Sequence, residues 1–132
     1  MYLIDTSIWI DYFRKKENSG VKFFVKILEQ KWPYGITGLI YQEILQGVSS
    51  QKDFEQLSMY LETQKFYHPK DPIISYQAAA QKYFLCRKKG ITIRSTVDCF
   101  IAQIAIEHNL CLVHNDRDYS LIKKVCPELN CL

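Results

Sequence analysis

Short apolar runs alternate with amphipathic stretches along the whole chain. Tyr2–Ile4 is an apolar run that stops at Asp5 and predicts a buried strand. From Thr6 to Phe13, Ile8, Trp9, Tyr12 and Phe13 recur at helical spacing. The polar stretch from Arg14 to Gly20 predicts a turn, and Val21, Phe24, Val25 and Leu28 mark a helix starting near Ser19. Trp32-Pro33-Tyr34-Gly35 breaks that helix, Ile36-Thr37 predicts a second strand, and Gly38 to Gln46 a helix with Gly47 past its end. A looser apolar pattern predicts a helix from about Gln51 to Leu61, and Phe66-Tyr67 a third strand closed by Pro69 and Pro72. The longest helix is expected from Ile73 to Lys88, with Ala78-Ala79-Ala80 as a face for close packing and Gly90 beyond its end. Ser95 opens a helix from Thr96 to His108 that Asn109 can end. Cys111-Leu112-Val113 predicts the fourth strand, Asp116 to Lys124 a short helix, and Leu129 a last strand. Strands alternating with amphipathic helices predict an α/β sandwich with a mostly parallel sheet.

Composition narrows this picture. A chain of 132 residues suits one domain with one core, and 48% hydrophobic with 23% charged residues is too apolar for disorder. No run approaches the roughly 18–20 apolar residues that span a bilayer. The N-terminus, Met1-Tyr2-Leu3-Ile4-Asp5, lacks a basic segment followed by a long apolar run, so no secretory signal is expected. The five cysteines include no Cys-x-x-Cys pair. They read as reduced thiols of a cytoplasmic protein, with Cys86, Cys99 and Cys111 in apolar surroundings.

Charge changes the picture only together with candidate chemistry. Seventeen basic and fourteen acidic residues give a net +3, weakly basic and no demand for nucleic acid. Four acids stand out by position: Asp5 ends the first strand, Glu43 lies in the helix after the second, Asp98 is in the first turn of the helix opened by Ser95, and Asp116 follows the fourth strand. In a parallel α/β sheet these positions fall near one strand-end edge, where ligands bind. Carboxylates brought together repel, and hard divalent cations such as Mg²⁺ or Mn²⁺ resolve that repulsion. With four acids so occupied, the other ten acids against seventeen bases leave +7. The chemistry implied is metal-assisted hydrolysis of a phosphodiester. Thr6 and Ser7 are placed to hold a ligand water or contact a phosphate, and Arg87-Lys88-Lys89 with Arg94 to track a polyanion backbone.

Each acid also has a plain structural role open to it. Asp5 and Asp116 can cap the helices that follow them, Asp98 fits the third position of a capping box opened by Ser95, and Glu43 can be a solvated helix residue. His68 reads as a loop residue, His108 as a complement to a helix dipole, and His114 as a polar loop residue close to Asp116. The aromatics Trp9, Tyr12, Phe13, Phe23, Phe24, Tyr83 and Phe84 read as core or a dimer face.

Four segments, in order, resemble the PIN-domain ribonucleases, and most of all the VapC-type toxins of toxin–antitoxin pairs. They are Tyr2-Leu3-Ile4-Asp5-Thr6-Ser7 with Trp9 and Ile10; Tyr41-Gln42-Glu43-Ile44-Leu45-Gln46-Gly47; the stretch from Gly90 through Arg94-Ser95-Thr96-Val97-Asp98 to Ala102; and Leu112-Val113-His114-Asn115-Asp116-Arg117-Asp118-Tyr119. The resemblance covers the chain in order and length. It implies a single three-layer α/β/α PIN-like domain over residues 1–132 and Mg²⁺- or Mn²⁺-dependent endoribonuclease activity on RNA. It also implies a homodimer and a cognate antitoxin that blocks the acidic cleft. Asp5, Glu43, Asp98 and Asp116 match the family's metal-binding catalytic acids, and Thr6 its hydroxyl neighbour. Asp118 can share or take the role of Asp116, and Tyr119 stands where Phe is commoner, a departure expected to leave catalysis alone. The rival readings are a catalytically silent binding module of the same fold, which docks an antitoxin or RNA without turnover, and an enzyme using Asp5 as nucleophile. The second lacks the Asp-x-Asp pattern, since Ser stands at position 7.

Overall fold

The computed structural model describes all 132 residues. Its elements run β1 (Tyr2–Ile4), α1 (Thr6–Phe13), α2 (Ser19–Gln30), β2 (Tyr34–Thr37), α3 (Gly38–Gln46), α4 (Gln51–Glu62), β3 (Phe66–Tyr67), α5 (Ile74–Lys88), α6 (Thr96–Glu107), β4 (Cys111–Val113) and α7 (Arg117–Val125). Each helix start has a local cause. Asp5, Asn18, Thr37, Ser50, Ser95 and Asp116 all stand in extended backbone with a side-chain oxygen accepting a first-turn N–H. Asp71 does the same work for α5, where its Oδ1 accepts from the N–H groups of Ile73 (2.8 Å) and Ile74 (2.7 Å). Asn109 and Gly90 adopt the left-handed backbone (φ 52° and 73°) that ends α6 and α5.

The four strands are parallel throughout, in the order β3-β2-β1-β4, with Leu3 opposite both Gly35 and Leu112. Helix α1 packs on α2 and α3, while α5, α6 and α7 pack on one another, giving the three-layer α/β/α arrangement. The sheet is narrow and buried on both faces, which is why its strands read as short continuous apolar runs rather than alternating ones. A core of 28 buried residues fills both interfaces, with Leu3, Ile4, Ile8, Trp9, Phe24 and Ile36 at zero exposure. Trp9 sits edge-on against Phe24 at 4.8 Å, and Phe24 likewise against Tyr34 at 5.6 Å.

Three expectations are corrected here. Leu129 is buried in the core but lies in no strand; the terminal segment makes only a single parallel bridge, Leu112 with Cys131. Cys111 is half-buried while Cys126 is buried with Cys86 and Cys99, all as free thiols. Phe13 and Phe84 are exposed, which removes the core half of their reading and is compatible with the dimer-face half.

The chain reverses direction across the sheet at one place. From β1 it moves outward through β2 to β3, and β4 then adds on the other side of β1. The crevice beyond the carboxyl ends of β1 and β4 is therefore the switch point where parallel sheets bind ligands.

Candidate active site

Asp5 follows β1 and Asp116 follows β4 after two intervening residues, so both open into the switch-point crevice. Both also cap helices: Asp5 Oδ2 accepts from the Ser7 N–H (2.9 Å) and Asp116 Oδ1 from the Asp118 N–H (2.9 Å). Capping and site-building are thus one geometry, because the cap holds the carboxylate at the helix N-terminus that faces the crevice. Asp98, in the first turn of α6, is different. Ser95 Oγ accepts from the Val97 N–H at 3.1 Å, but no bond returns from Asp98 to Ser95, so the capping box is not closed. Asp98 instead turns into the crevice, where one oxygen from each of Asp98, Asp116 and Asp118 lies within 4.8 Å of the others.

Glu43 is not a solvated helix residue. It is half-buried, and its Oε1 accepts from Thr6 Oγ1 at 2.8 Å, tying α3 to the start of α1. Burial pushes its carboxyl above the ordinary range against that hydrogen bond, and Asp5 and Asp116 push it further the same way. Asp98 is pushed up to about 7, first by burial and then by the charges of Asp116, Asp5, Glu43 and Asp118. Five acids from four separate stretches of chain therefore feel one another in one hollow.

Several site residues carried little or no signal in the sequence. Tyr119, fully buried on α7, donates its hydroxyl to Asp5 Oδ1 at 2.7 Å and stands 3.4 Å from Asp98 Oδ1. Its phenol is pushed well above its ordinary value by burial and by the neighbouring carboxylates, so it stays a donor. The Tyr-for-Phe departure thus places a hydroxyl between two of the acids. Ser7 Oγ donates to Asp5 Oδ2 (2.6 Å) and accepts from the Asn115 N–H (3.0 Å), and Asn115 Nδ2 donates to Asp11 Oδ2 (3.0 Å). This chain fixes the β4–α7 loop against α1. Its members are ordinary polar residues, and only the fold reveals that they meet.

Arg94 does not join Arg87, Lys88 and Lys89 on a basic edge. It turns into the crevice, with Nη2 on Asp116 Oδ1 (3.0 Å) and Nε on Asp118 Oδ2 (3.2 Å). His108 stands at the end of α6 with its ring nitrogen 2.7 Å from the His68 carbonyl, away from the acids. His114 Nδ1 accepts the Asp116 N–H at 3.3 Å, and burial holds its ring below the ordinary histidine range.

Whether this hollow suits a cation is answered by its unpaired atoms. Asp118 is 1% exposed, and its Oδ1 has no hydrogen-bond partner although it is buried. A buried carboxylate oxygen without a donor is costly unless something positive meets it. The converging groups are carboxylate oxygens, with no thiol or imidazole among the close three. Oxygen-only donors suit hard cations such as Mg²⁺ or Mn²⁺.

A family model described as the PIN domain matches residues 2–125. The chain belongs to the PIN-domain family. Two curated relatives, a VapC ribonuclease (Mb1587) of Mycobacterium bovis and ribonuclease VapC11 of Mycobacterium tuberculosis, are each 32% identical over 126 residues, covering 95% of this chain and 93% of the relative. The structure is also similar to solved ones. VapBC2 from Rickettsia felis, bound to a promoter DNA fragment, superposes with a TM-score of 0.73 at 18% identity, covering 99% of this chain and 96% of that one. VapBC-1 from nontypeable Haemophilus influenzae gives 0.74 at 19% identity, with the same coverage. No helix is long and apolar enough to cross a membrane.

Proposed function

We propose that this chain, as one domain over residues 1–132, is a metal-dependent endoribonuclease, the toxin of a toxin–antitoxin pair. The observation that carries the site is the convergence of Asp98, Asp116 and Asp118, the last with a buried, unpartnered carboxylate oxygen, at the switch point of a PIN fold. Asp5, Glu43, Asp98 and Asp116 are the catalytic, metal-holding acids, and Asp118 joins them. Mg²⁺ or Mn²⁺, when bound, supplies a Lewis acid that eases deprotonation of water and steadies charge on a phosphodiester.

The protein's own part is placement. Ser7 and Tyr119 fix the two oxygens of Asp5. Thr6 holds Glu43 by Oε1, leaving Oε2 as the acceptor for a proton or a cation. Asn115, tied to Ser7 and Asp11, sets the loop from which Asp116 projects. The exposed cations at the end of α5, Arg87, Lys88 and Lys89, give an RNA backbone somewhere to lie.

The same hollow takes the antitoxin: a cleft whose five acids are met by a single arginine suits a basic segment that blocks it. The partner copy of a homodimer has an apolar face to use, a groove of about 380 Å³ lined by Leu39, Tyr76, Ala79, Tyr83, Val97 and Phe100. Its working place is the cytoplasm, where its thiols stay reduced.

The test is cleavage of end-labelled RNA by the purified chain with Mg²⁺ or Mn²⁺, with EDTA, and with Asp98→Asn. Metal-dependent cutting that the variant loses is the expected result. Metal-independent cutting, or equal cutting by Asp98→Asn, refutes the site. Tight RNA or antitoxin binding without turnover supports the silent-module alternative.

A further inference from the structure

Among the acids of the cleft stands one cation, and it is held in an unusual way. Arg94 lies in the loop between α5 and α6, four residues before Asp98. Its guanidinium meets Asp116 Oδ1 at 3.0 Å and Asp118 Oδ2 at 3.2 Å, and its main-chain N–H reaches the same Asp118 Oδ2 at 3.3 Å. Its side chain is nevertheless 64% exposed, against 25% for Asp116 and 1% for Asp118. One end of this ion pair, Asp118, is buried, and the other is largely in water.

We propose that Arg94 is a displaceable counter-ion, which neutralises Asp116 and Asp118 in the metal-free cleft, yields Asp116 to a divalent cation, and then turns outward to bind a phosphate of the RNA strand. The inference rests on the nuclease reading above and adds to it an order of events. Three features support it. The Arg94–Asp116 half of the pair is partly exposed on both sides and so is held weakly, and a divalent cation that keeps some of its water brings twice the charge to the same oxygen. Asp116 Oδ1 is claimed both by Arg94 Nη2 and by the Asp118 N–H, so a cation approaching that oxygen competes with the guanidinium directly. Asp118 is not stranded when the side chain leaves, because the Arg94 main-chain N–H stays on Oδ2 and the arriving cation replaces the lost positive charge at the unpartnered Oδ1.

The released guanidinium has a planar fork of donors suited to phosphate. Its backbone is anchored beside the acids, so it swings only at the rim of the cleft. Metal loading thus exchanges an arginine–carboxylate pair for an arginine available to phosphate, and metal and RNA binding become cooperative through this residue. Arg94 in this account touches the substrate and also sets the cost of loading the metal.

The experiment is calorimetric titration of Mn²⁺ into the full chain without RNA, for wild type, Arg94→Ala and Arg94→Lys, with folding checked by circular dichroism. A competitor removed means tighter metal binding, so Arg94→Ala should bind Mn²⁺ about 3- to 10-fold more tightly than wild type, with Arg94→Lys between them. Its RNA affinity in Mn²⁺ should fall, with a salt slope shallower by about one unit. Wild-type metal binding with equal or weaker binding by Arg94→Ala overturns the proposal and leaves the nuclease reading standing, since Arg94 would then only brace the acids. Absence of any Mn²⁺ binding by wild type overturns both. If Arg94→Ala fails to fold, Arg94→Gln, which keeps much of the bulk without the charge, decides by the same criterion.

Discussion

The two walls of the cleft are built on opposite principles. On the β1–α1 wall, each carboxylate has a neutral donor from the protein: Asp5 accepts from the Ser7 N–H, the Ser7 hydroxyl and the Tyr119 hydroxyl, and Glu43 accepts from Thr6. On the α6–α7 wall, Asp98 has only the long contact to Tyr119, and Asp118 keeps a buried oxygen with no partner at all. Every carboxylate of the first wall has a donor without a ligand, though Glu43 keeps Oε2 open. The second is left short of positive charge, and its one resident cation is exposed. A hydrogen-bonded carboxylate serves the fold as well as the site, whereas an unsatisfied one stores repulsion that a proton or a cation relieves.

This contrast is sharpest in paired substitutions. Asp98→Asn should reduce RNA cleavage by at least about 100-fold. In EDTA it should also raise the melting temperature by roughly 3–6 °C, because a buried charge has left a repelling cluster. Asp5→Asn should be equally inactive yet melt no higher than wild type, since amide for carboxylate disturbs three donated bonds. Equal stabilisation by both variants would erase the distinction between the walls. Tyr119→Phe removes the hydroxyl that joins them. Against the expectation that the exchange of Tyr and Phe here leaves catalysis alone, it should lower cleavage by about 10-fold with a modest loss of stability, as an unpaired Asp5 oxygen remains buried. Unaltered cleavage would make the hydroxyl a bystander.

The pH dependence follows from the second wall. Asp98 has a folded-state value raised to about 7 from an ordinary 3.8, so the folded chain holds the proton more tightly than the unfolded one. Its contribution is fully present below about pH 4 and is lost as pH rises through 7. His114, held below the ordinary histidine value, works the other way up to about pH 6.5, so the net loss of stability is expected between about pH 6.5 and 8, by a few °C in melting temperature, and saturating Mn²⁺ should flatten or reverse it. A metal-free protein that gains stability from about pH 6.5 to 8 would contradict the raised Asp98 value. The smallest effect belongs to Thr6→Val, which strips Glu43 of its one donor and should slow cleavage about 3-fold without moving the melting temperature by more than roughly 2 °C.

Much of the fold was legible because its signals are local. The caps Ser95 and Asp116, the break at Pro33 and the left-handed Asn109 bracket the helices in sequence as they do in space, whereas the cap Thr37 reads in sequence only as the end of a strand. Leu129 misled because a single buried apolar position is compatible with core packing as well as with a strand. Within the site, Asp5 and Asp116 could be placed from strand ends alone. Glu43 could not, since only the packing of α3 on α1 turns it to Thr6. Arg94 looked like one more base in a basic run, and its turn inward depends on the buried Asp118 that receives it. Spacing reports which residues share an element; it is silent on charges that meet across elements.

The central claim is that acids scattered along the chain make one hollow that a divalent cation neutralises. Thermal melting of the purified protein across a Mn²⁺ series, run beside RNA cleavage over the same series, tests it most directly. The account predicts that melting temperature and cleavage rise together over one concentration range and that EDTA abolishes both gains. A melting temperature indifferent to Mn²⁺, with cleavage that survives EDTA, would contradict it.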